Sequence, residues 1–353
     1  MSRDEGHGRM TEARRRPATI ADVAALAGVS RTTVSHALSG KGRVDPATRA
    51  RVQEAANRLG YRPSPRAQRL RGGSSGAVAI LSALPASIVG AGSDMGFLIE
   101  MAMPVARACL AHGYALMLVP PDASRGHLDG LDIDGAIVLD PLADDPTCVA
   151  LMSRGVRIVT VGSAPGVTPD AVVDRGMAGV DVMLDHLVAV GARRIGVIAS
   201  EELHALSRVL GEVARGGGRW GPADVLPVSA AAAAGEEGGR EAAHALLESH
   251  PELDAVYAPL DAFAVGAVTA ARERGLTIPG DLLVATNYDG PRAATSDPAL
   301  TALDLDLPET ARRAADSLMR VLGGERVGTV SVPEPVVIPR ASTSVAAPKG
   351  WRR

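Results

Sequence analysis

The sequence predicts an N-terminal all-α head carrying a helix-turn-helix, a short hinge helix, and an α/β body of two lobes built on parallel sheets. Three observations predict this. Residues 19–60 hold three short apolar stripes at helical spacing, each preceded by a capping residue. A segment rich in Pro, Arg and Gly follows at 62–76. From residue 77 onward, aliphatic runs alternate with amphipathic stretches. The organisation expected is a basic tail at 1–16, the head at 17–62, hinge helix and linker at 63–75, the two-lobed domain at 76–345 and a tail at 346–353.

The first helix starts at Thr19-Ile20-Ala21-Asp22, which fits a capping box with Thr19 as N-cap and Asp22 reaching back. Ile20, Val23, Ala24 and Ala27 fall on one face, and Gly28 ends the helix where a positive φ is needed. Ser30 caps the second helix, whose inward residues are Val34, Ala37 and Leu38. Asp45-Pro46 starts the third. Its stripe is Val52, Ala55, Ala56 and Leu59, and Gly60 stops it. Two helices crossing through a tight turn need a small residue at closest approach, a flexible one in the turn and an aliphatic wedge beyond. Ala24, Gly28 and Val34 have that spacing. The second helix then presents Arg31, Thr32, Thr33, Ser35 and His36 outward, residue types that suit phosphates and base edges.

The charge distribution agrees with a polyanionic partner. Residues 1–75 carry 15 basic and 6 acidic residues, a net of +9, whereas the remainder carries 22 and 34, a net of −12. Aromatic residues are only 2%, too few for a surface that stacks many single-stranded bases.

In the hinge, Ser64 can cap and Pro65 suits the first helical position. Ala67 and Leu70 then share a face before Gly72-Gly73. A helix this short is marginal alone and needs a partner. In the body, strands are expected at 77–84, 114–119, 135–139, 157–161, 194–199, 255–258, 282–286 and 332–338. A further short strand, 171–173, precedes Asp174. Helices are expected at 99–111, 178–190, 238–249, 262–274 and 307–322. About 270 residues of such alternation exceed one sheet, so two lobes are expected, with ligands beyond the carboxyl ends of the strands.

Other classes fit poorly. Cys109 and Cys148 make neither a disulfide framework nor a metal spacing. No N-terminal apolar run or membrane-spanning stretch is seen, and a cytoplasmic protein without a membrane role is expected. A nucleotide-dependent enzyme would need a tight glycine turn directly after a strand. Here Pro85 and a long loop separate the strand from Gly90, Gly92 and Gly96. No enzyme activity and no cofactor are expected. The rival that remains is a cytoplasmic small-molecule-binding protein without a specific DNA role.

Thr19-Ile20-Ala21-Asp22-Val23-Ala24, Ala27-Gly28-Val29-Ser30, Thr33-Val34-Ser35 and Leu59-Gly60-Tyr61 resemble the head of the lactose/galactose repressor (LacI/GalR) family. The body resembles that family's periplasmic-binding-protein-like domain more loosely, through Asp134-Gly135-Ala136-Ile137-Val138, Gly191-Ala192-Arg193-Arg194-Ile195, Arg274-Gly275-Leu276-Thr277-Ile278-Pro279-Gly280-Asp281 and Pro298-Ala299-Leu300-Thr301. The resemblance implies a homodimeric regulator, a repressor of palindromic double-stranded operator DNA, controlled by a small-molecule effector such as a sugar or related metabolite. It implies that Arg31, Thr32 and His36 read bases. Thr19, Ser30, Thr33, Ser35, Thr48 and Tyr61 would touch phosphates or position the recognition helix, with Ser39 and Arg43 as further backbone contacts. Leu70 would wedge into the minor groove while Ala67 lets paired hinge helices approach. Carried over to the body, it implies effector contacts from Asp174, Arg208, Asp261 and Asp289. The loop after the first strand departs from the family's Asn-Pro-Phe stretch, and residues 341–353 lack the heptads of a tetramerising coiled coil.

Overall fold

The computed structural model describes residues 18–39, 43–61, 74–85, 88, 96–121, 123, 125–176, 178–201 and 224–344. The hinge residues Ala67 and Leu70, the effector candidate Arg208 and both terminal tails lie outside them. The chain forms two compact units, one ending at Ser75 and the other beginning at Gly76.

The first unit contains α1 (Ile20–Ala27), α2 (Arg31–Ser39) and α3 (Pro46–Leu59). Its caps follow the sequence. The Asp22 amide donates to Thr19 Oγ1 while the Thr19 amide donates to the Asp22 carboxylate. Asp45 Oδ1 accepts from the Thr48 amide at 2.9 Å. Gly28 and Gly60 both take the left-handed conformation that closes a helix. Val23, Val34 and Val52, one from each helix, are fully buried at the centre, and Ala24, Ala27, Ala37, Ala55 and Ala56 fill the space around them. Leu59, expected in the stripe of α3, is 38% exposed.

The second unit holds two six-stranded sheets. The first lobe is built from β1 (Ala77–Ser82), α4 (Gly96–Ala111), β2 (Ala115–Leu118), α5 (Arg125–Asp129), β3 (Gly135–Leu139), α6 (Pro146–Ser153), β4 (Arg157–Val161) and β5 (Ala171–Asp174). The chain then crosses to the second lobe: α7 (Ala178–Ala189), β6 (Arg194–Ser200), β7 (Asp224–Ala230), α8 (Gly235–Ser249), β8 (Ala255–Tyr257), α9 (Asp261–Glu273), β9 (Leu283–Tyr288), α10 (Pro291–Thr295) and β10 (Thr301–Asp304). It returns for α11 (Leu307–Leu322) and β11 (Gly328–Ser331), and crosses once more for β12 (Val336–Ile338). The strand orders are β11-β5-β4-β3-β1-β2 and β12-β10-β9-β8-β6-β7. Fully buried strands such as β1 and β3 are continuous aliphatic runs because helices cover both faces.

Two expectations are corrected. The strand expected at 332–338 is shorter, being β12 at Val336–Ile338, which pairs with β10 in the second lobe, and it is preceded at Gly328–Ser331 by β11, which pairs with β5 in the first. Pro333 and Pro335 lie between them and supply no ladder amide. The sheets are also not wholly parallel, since β12 runs antiparallel to β10. Beyond the expected elements, the structure adds β7, β10, β11, α5, α6 and α10.

Two glycines allow α8 and α9 to pack backbone to backbone. A Cβ on Gly239 would stand 2.3 Å from the Phe263 Cα, and one on Gly266 would stand 2.2 Å from the Glu236 carbonyl oxygen. This closeness holds α9, and with it Asp261 at its first position, against α8.

The chain passes between the lobes three times, after β5, at 305–306 and at 332–335. Three adjacent connections of this kind form a hinge about which lobes can rotate.

Candidate DNA interface and effector cleft

On the head, the turn between α1 and α2 is fixed from both sides. The Val29 amide donates to the Ala24 carbonyl at 3.1 Å, and Ser30 Oγ accepts from the Thr33 amide at 3.0 Å. The Ser30 and Thr33 hydroxyls also pair with each other at 2.9 Å. Both therefore orient the start of α2. Opposite buried Val34 and Ala37, the face of α2 presents Arg31, Thr32 and His36 as exposed side chains, with Thr33 and Ser35 half-buried. Arg31 lies in the first turn of α2. The N-terminal turn of a recognition helix is the part that reaches base edges. Thr48 Oγ1 accepts from Arg51 at 3.4 Å, and its hydroxyl and amide hold Asp45 below the usual carboxylate range. Tyr61 is half-buried against the head's core, and its amide donates to the Ala56 carbonyl at 2.8 Å.

In the body, a cavity of about 190 Å³ opens between the lobes at the carboxyl ends of the strands. All three crossings line it, through Arg175 and Gly176, through Leu305, and through Val332, Pro333 and Pro335. Its polar side chains are Asp140, Arg175, Asp261, Asn287 and Tyr288. Arg175 pairs with Asp140, and its guanidinium lies 5.6 Å from the centre of the Phe97 ring. Phe97 meets Tyr288 edge to face at 5.4 Å. Asn287 accepts from the hydroxyl of fully buried Tyr257. Of the eight aromatic residues in the chain, two thus line this one cavity and a third supports it.

Asp261 belongs to a buried charge cluster. Its carboxylate accepts from Arg292 Nη1 at 2.9 Å, with side-chain exposures of only 7% and 6%. Arg292 also reaches Glu236 at 3.1 Å and the Ile88 carbonyl at 3.2 Å. Burial pushes the Asp261 carboxyl above its usual range even though Arg292 favours the ionised form. Ile88 and Leu84, which follow β1 of the first lobe, are buried in the apolar cluster of the second.

Residues 19–64 match the family model for bacterial regulatory proteins of the lacI family, and residues 184–343 match a periplasmic binding protein-like domain. The HTH-type transcriptional regulator MalR of Streptomyces coelicolor is 31% identical over 359 residues, covering 93% of this chain and 97% of its own length. The chain belongs to the LacI family. It is a transcriptional regulator with a DNA-binding head and an effector-binding body. The solved CelR–cellobiose complex superposes with a TM-score of 0.64 at 26% identity, covering 92% of this chain and 99% of that one. The lac repressor dimer bound to operator and the anti-inducer ONPF shares the fold, with a TM-score of 0.67 at 21% identity, covering 94% of this chain and all of that one.

Within this LacI-family body the four effector candidates separate. Asp261 lines the cavity. Asp174 is not among its lining residues; it ends β5 exposed and accepts from the Gly176 amide at 2.8 Å, bracing the first crossing. Asp289 is also absent from the lining and pairs with Arg340, which in turn donates to the Leu300 carbonyl at 2.9 Å. Arg208 lies outside the described residues. Beside Asp174 and Asp289 it is the neighbour, Arg175 or Tyr288, that lines the cavity. Sequence reasoning also missed Phe97, Asp140 and Asn287. For Asp140 a signal existed, since it ends the run 135–139 just before Pro141. Among the described residues, no group of three or more His, Cys, Asp or Glu could hold a metal ion, and no helix is long and apolar enough to cross a membrane.

Proposed function

We propose that this LacI-family regulator is a cytoplasmic homodimeric repressor whose two heads grip a palindromic operator and whose interlobe cavity takes a polyhydroxylated effector, a sugar or related metabolite. It performs no catalysis in this reading. The observation that carries it is the outward face of α2, where Arg31, Thr32 and His36 stand exposed on a helix whose start is fixed by Ser30 and Thr33. Arg31 reads a base edge, and Thr19, Ser35, Thr48 and Tyr61 position the head on the backbone. The hinge residues Ala67 and Leu70 are proposed to enter the minor groove. The carboxylates Asp140 and Asp261, the guanidinium of Arg175 and the Phe97–Tyr288 pair supply the polar and flat surfaces a polyol uses. The cellobiose held by CelR is a ligand of this class.

Arg31→Ala tests the assignment. Operator fragments recovered from genomic footprinting of the full chain supply the probe. The variant is expected to lose about 1–3 kcal/mol of discrimination at one position of each half-site. An unchanged operator preference would remove Arg31 from base reading. Wild-type binding should also fall steeply with salt, given the +9 head. A protein that retains no duplex preference at any salt is the small-molecule binder of the rival reading.

The dimer reading rests on an apolar stripe along α4. Ile99, Met103 and Leu110 are 38%, 56% and 77% exposed at positions spaced by four and seven, and Leu118 on the edge strand β2 is 39% exposed. A second copy covering this stripe would remove it from water. Leu110→Glu is expected to sediment as a monomer and to bind operator at least about tenfold more weakly, since each monomer holds one half-site. Dimers of unchanged affinity would place the interface elsewhere.

A further inference from the structure

We infer that Tyr288 is a positioning residue that couples the interlobe cavity to helix α4, acting through its hydroxyl on Glu100. The inference rests on the reading that the cavity takes the effector and that the outer face of α4 meets a second copy. Tyr288 ends β9 of the second lobe, yet its ring packs against the apolar cluster of the first. Its hydroxyl donates to Glu100 Oε2 on α4 at 3.0 Å. The seat is close: a Cβ on Gly96 would stand 3.1 Å from the Tyr288 hydroxyl oxygen and 3.2 Å from Pro291 Cδ. The same ring lines the cavity and meets Phe97, which also lines it. One side chain therefore touches the cavity, the second lobe and the N-terminal turns of α4.

Packing alone does not explain the hydroxyl. A phenylalanine would make the same edge-to-face contact with Phe97. The tyrosine adds a directed bond to a carboxylate that adjoins Ile99 and lies one turn before Met103, both on the exposed stripe. A molecule entering the cavity meets the Phe97–Tyr288 pair, since both rings line it. Rotation of the lobes about the three crossings changes the distance between Tyr288 and Glu100, because they belong to different lobes. The bond is thus made or broken by the lobe angle, and α4 carries the result to its outer face.

The test compares full-length wild type with Tyr288→Phe, Glu100→Ala, the double variant and Glu100→Gln, which keeps an acceptor oxygen. Amide hydrogen exchange is read over residues 96–104, together with affinity for the footprinted operator. Tyr288→Phe and Glu100→Ala are each expected to speed exchange about tenfold, the scale of one hydrogen bond to a charged group. The double variant should exceed neither, and Glu100→Gln should stay near wild type. Operator affinity should shift in the same direction, by about threefold or more, in the two single variants and not in Glu100→Gln. Additive effects in the double variant would overturn the coupling through Glu100. Faster exchange with wild-type operator affinity would reduce Tyr288 to packing. If wild type binds operator and every variant matches it, the coupling alone fails. If wild type binds no operator, the functional reading fails and takes the coupling with it.

Discussion

Replacing Arg292 with alanine is expected to destabilise the body by about 3–5 kcal/mol, the cost of leaving a buried charge without its partner. The side chain is 6% exposed and holds three groups from different parts of the chain: Asp261 on α9, Glu236 on α8 and the Ile88 carbonyl beyond β1. Truncation strands the Asp261 carboxylate, itself 7% exposed, beside the cavity. The pH dependence follows from the direction of its shift. Burial already raises the Asp261 pKa above the unfolded value, and loss of Arg292 removes an influence that lowers it. A carboxyl whose folded pKa is raised is destabilising when ionised, so the variant should recover stability as pH falls through that raised value. Denaturant unfolding in mildly acidic and mildly alkaline buffer reads both effects. A loss below about 1 kcal/mol would mean the pair adds little beyond what an apolar contact supplies. The joint replacement Arg292→Met with Asp261→Leu should restore most of the stability, because no buried charge is then left alone and Glu236, the other partner, is half-exposed to water. It should also remove a polar group from the cavity wall.

The head was legible in the sequence because its determinants are local. Thr19 with Asp22, Ser30 with Thr33 and Asp45 with Thr48 each act within three residues, and the structure makes every one of these bonds. The same logic could have found α6, where Asp145-Pro146 repeats the start signal of α3 and Asp145 accepts from the Thr147 and Cys148 amides. Strand β7 was hidden because it lies at a sheet edge, carries Pro227 and alternates in exposure instead of forming an aliphatic run. That β11 and β12, four residues apart, join different sheets is decided by their distant partners β5 and β10, and no local pattern encodes that.

The cleft was legible only to within one residue. Side chains alternate across a strand, so a shift of one position at its carboxyl end moves a group from the cavity to the far side. Asp174 and Asp289 turn away to brace Gly176 and Arg340, while Arg175 and Tyr288 line the cavity. Apolar periodicity locates the strand, but only the crossings and the second lobe decide which end residue lines the cavity. Phe97 shows the same limit from the helix side, since at the start of α4 it reads as core until β9 of the other lobe places Tyr288 against it.

Val34→Asp is expected to abolish specific operator binding while leaving the body folded. Val34 is fully buried with Val23 and Val52 in a cluster filled by alanines and flanked by Ile20, Val29, Leu38, Val44 and Tyr61, so a carboxylate there is enclosed by apolar side chains. Placing a carboxylate there removes the central apolar contact and adds an unpaired polar group, together about 3 kcal/mol or more. A three-helix domain this small has only about 3–5 kcal/mol to lose. Its α2 should therefore melt, and Arg31, Thr32 and His36 would no longer share one face. Because the head and the body are separate compact units, the loss should not spread. Operator affinity is expected to fall by about a thousandfold or more, to the level of non-specific duplex, since arginines on an unfolded head still attract phosphates but read no bases. The residual binding should then keep its salt dependence and lose its sequence preference. Operator titration at two salt concentrations checks the first part, and the thermal transition of the body checks the second. A variant that still selects operator over scrambled duplex would show that base reading does not depend on the packing of α2 against α1 and α3.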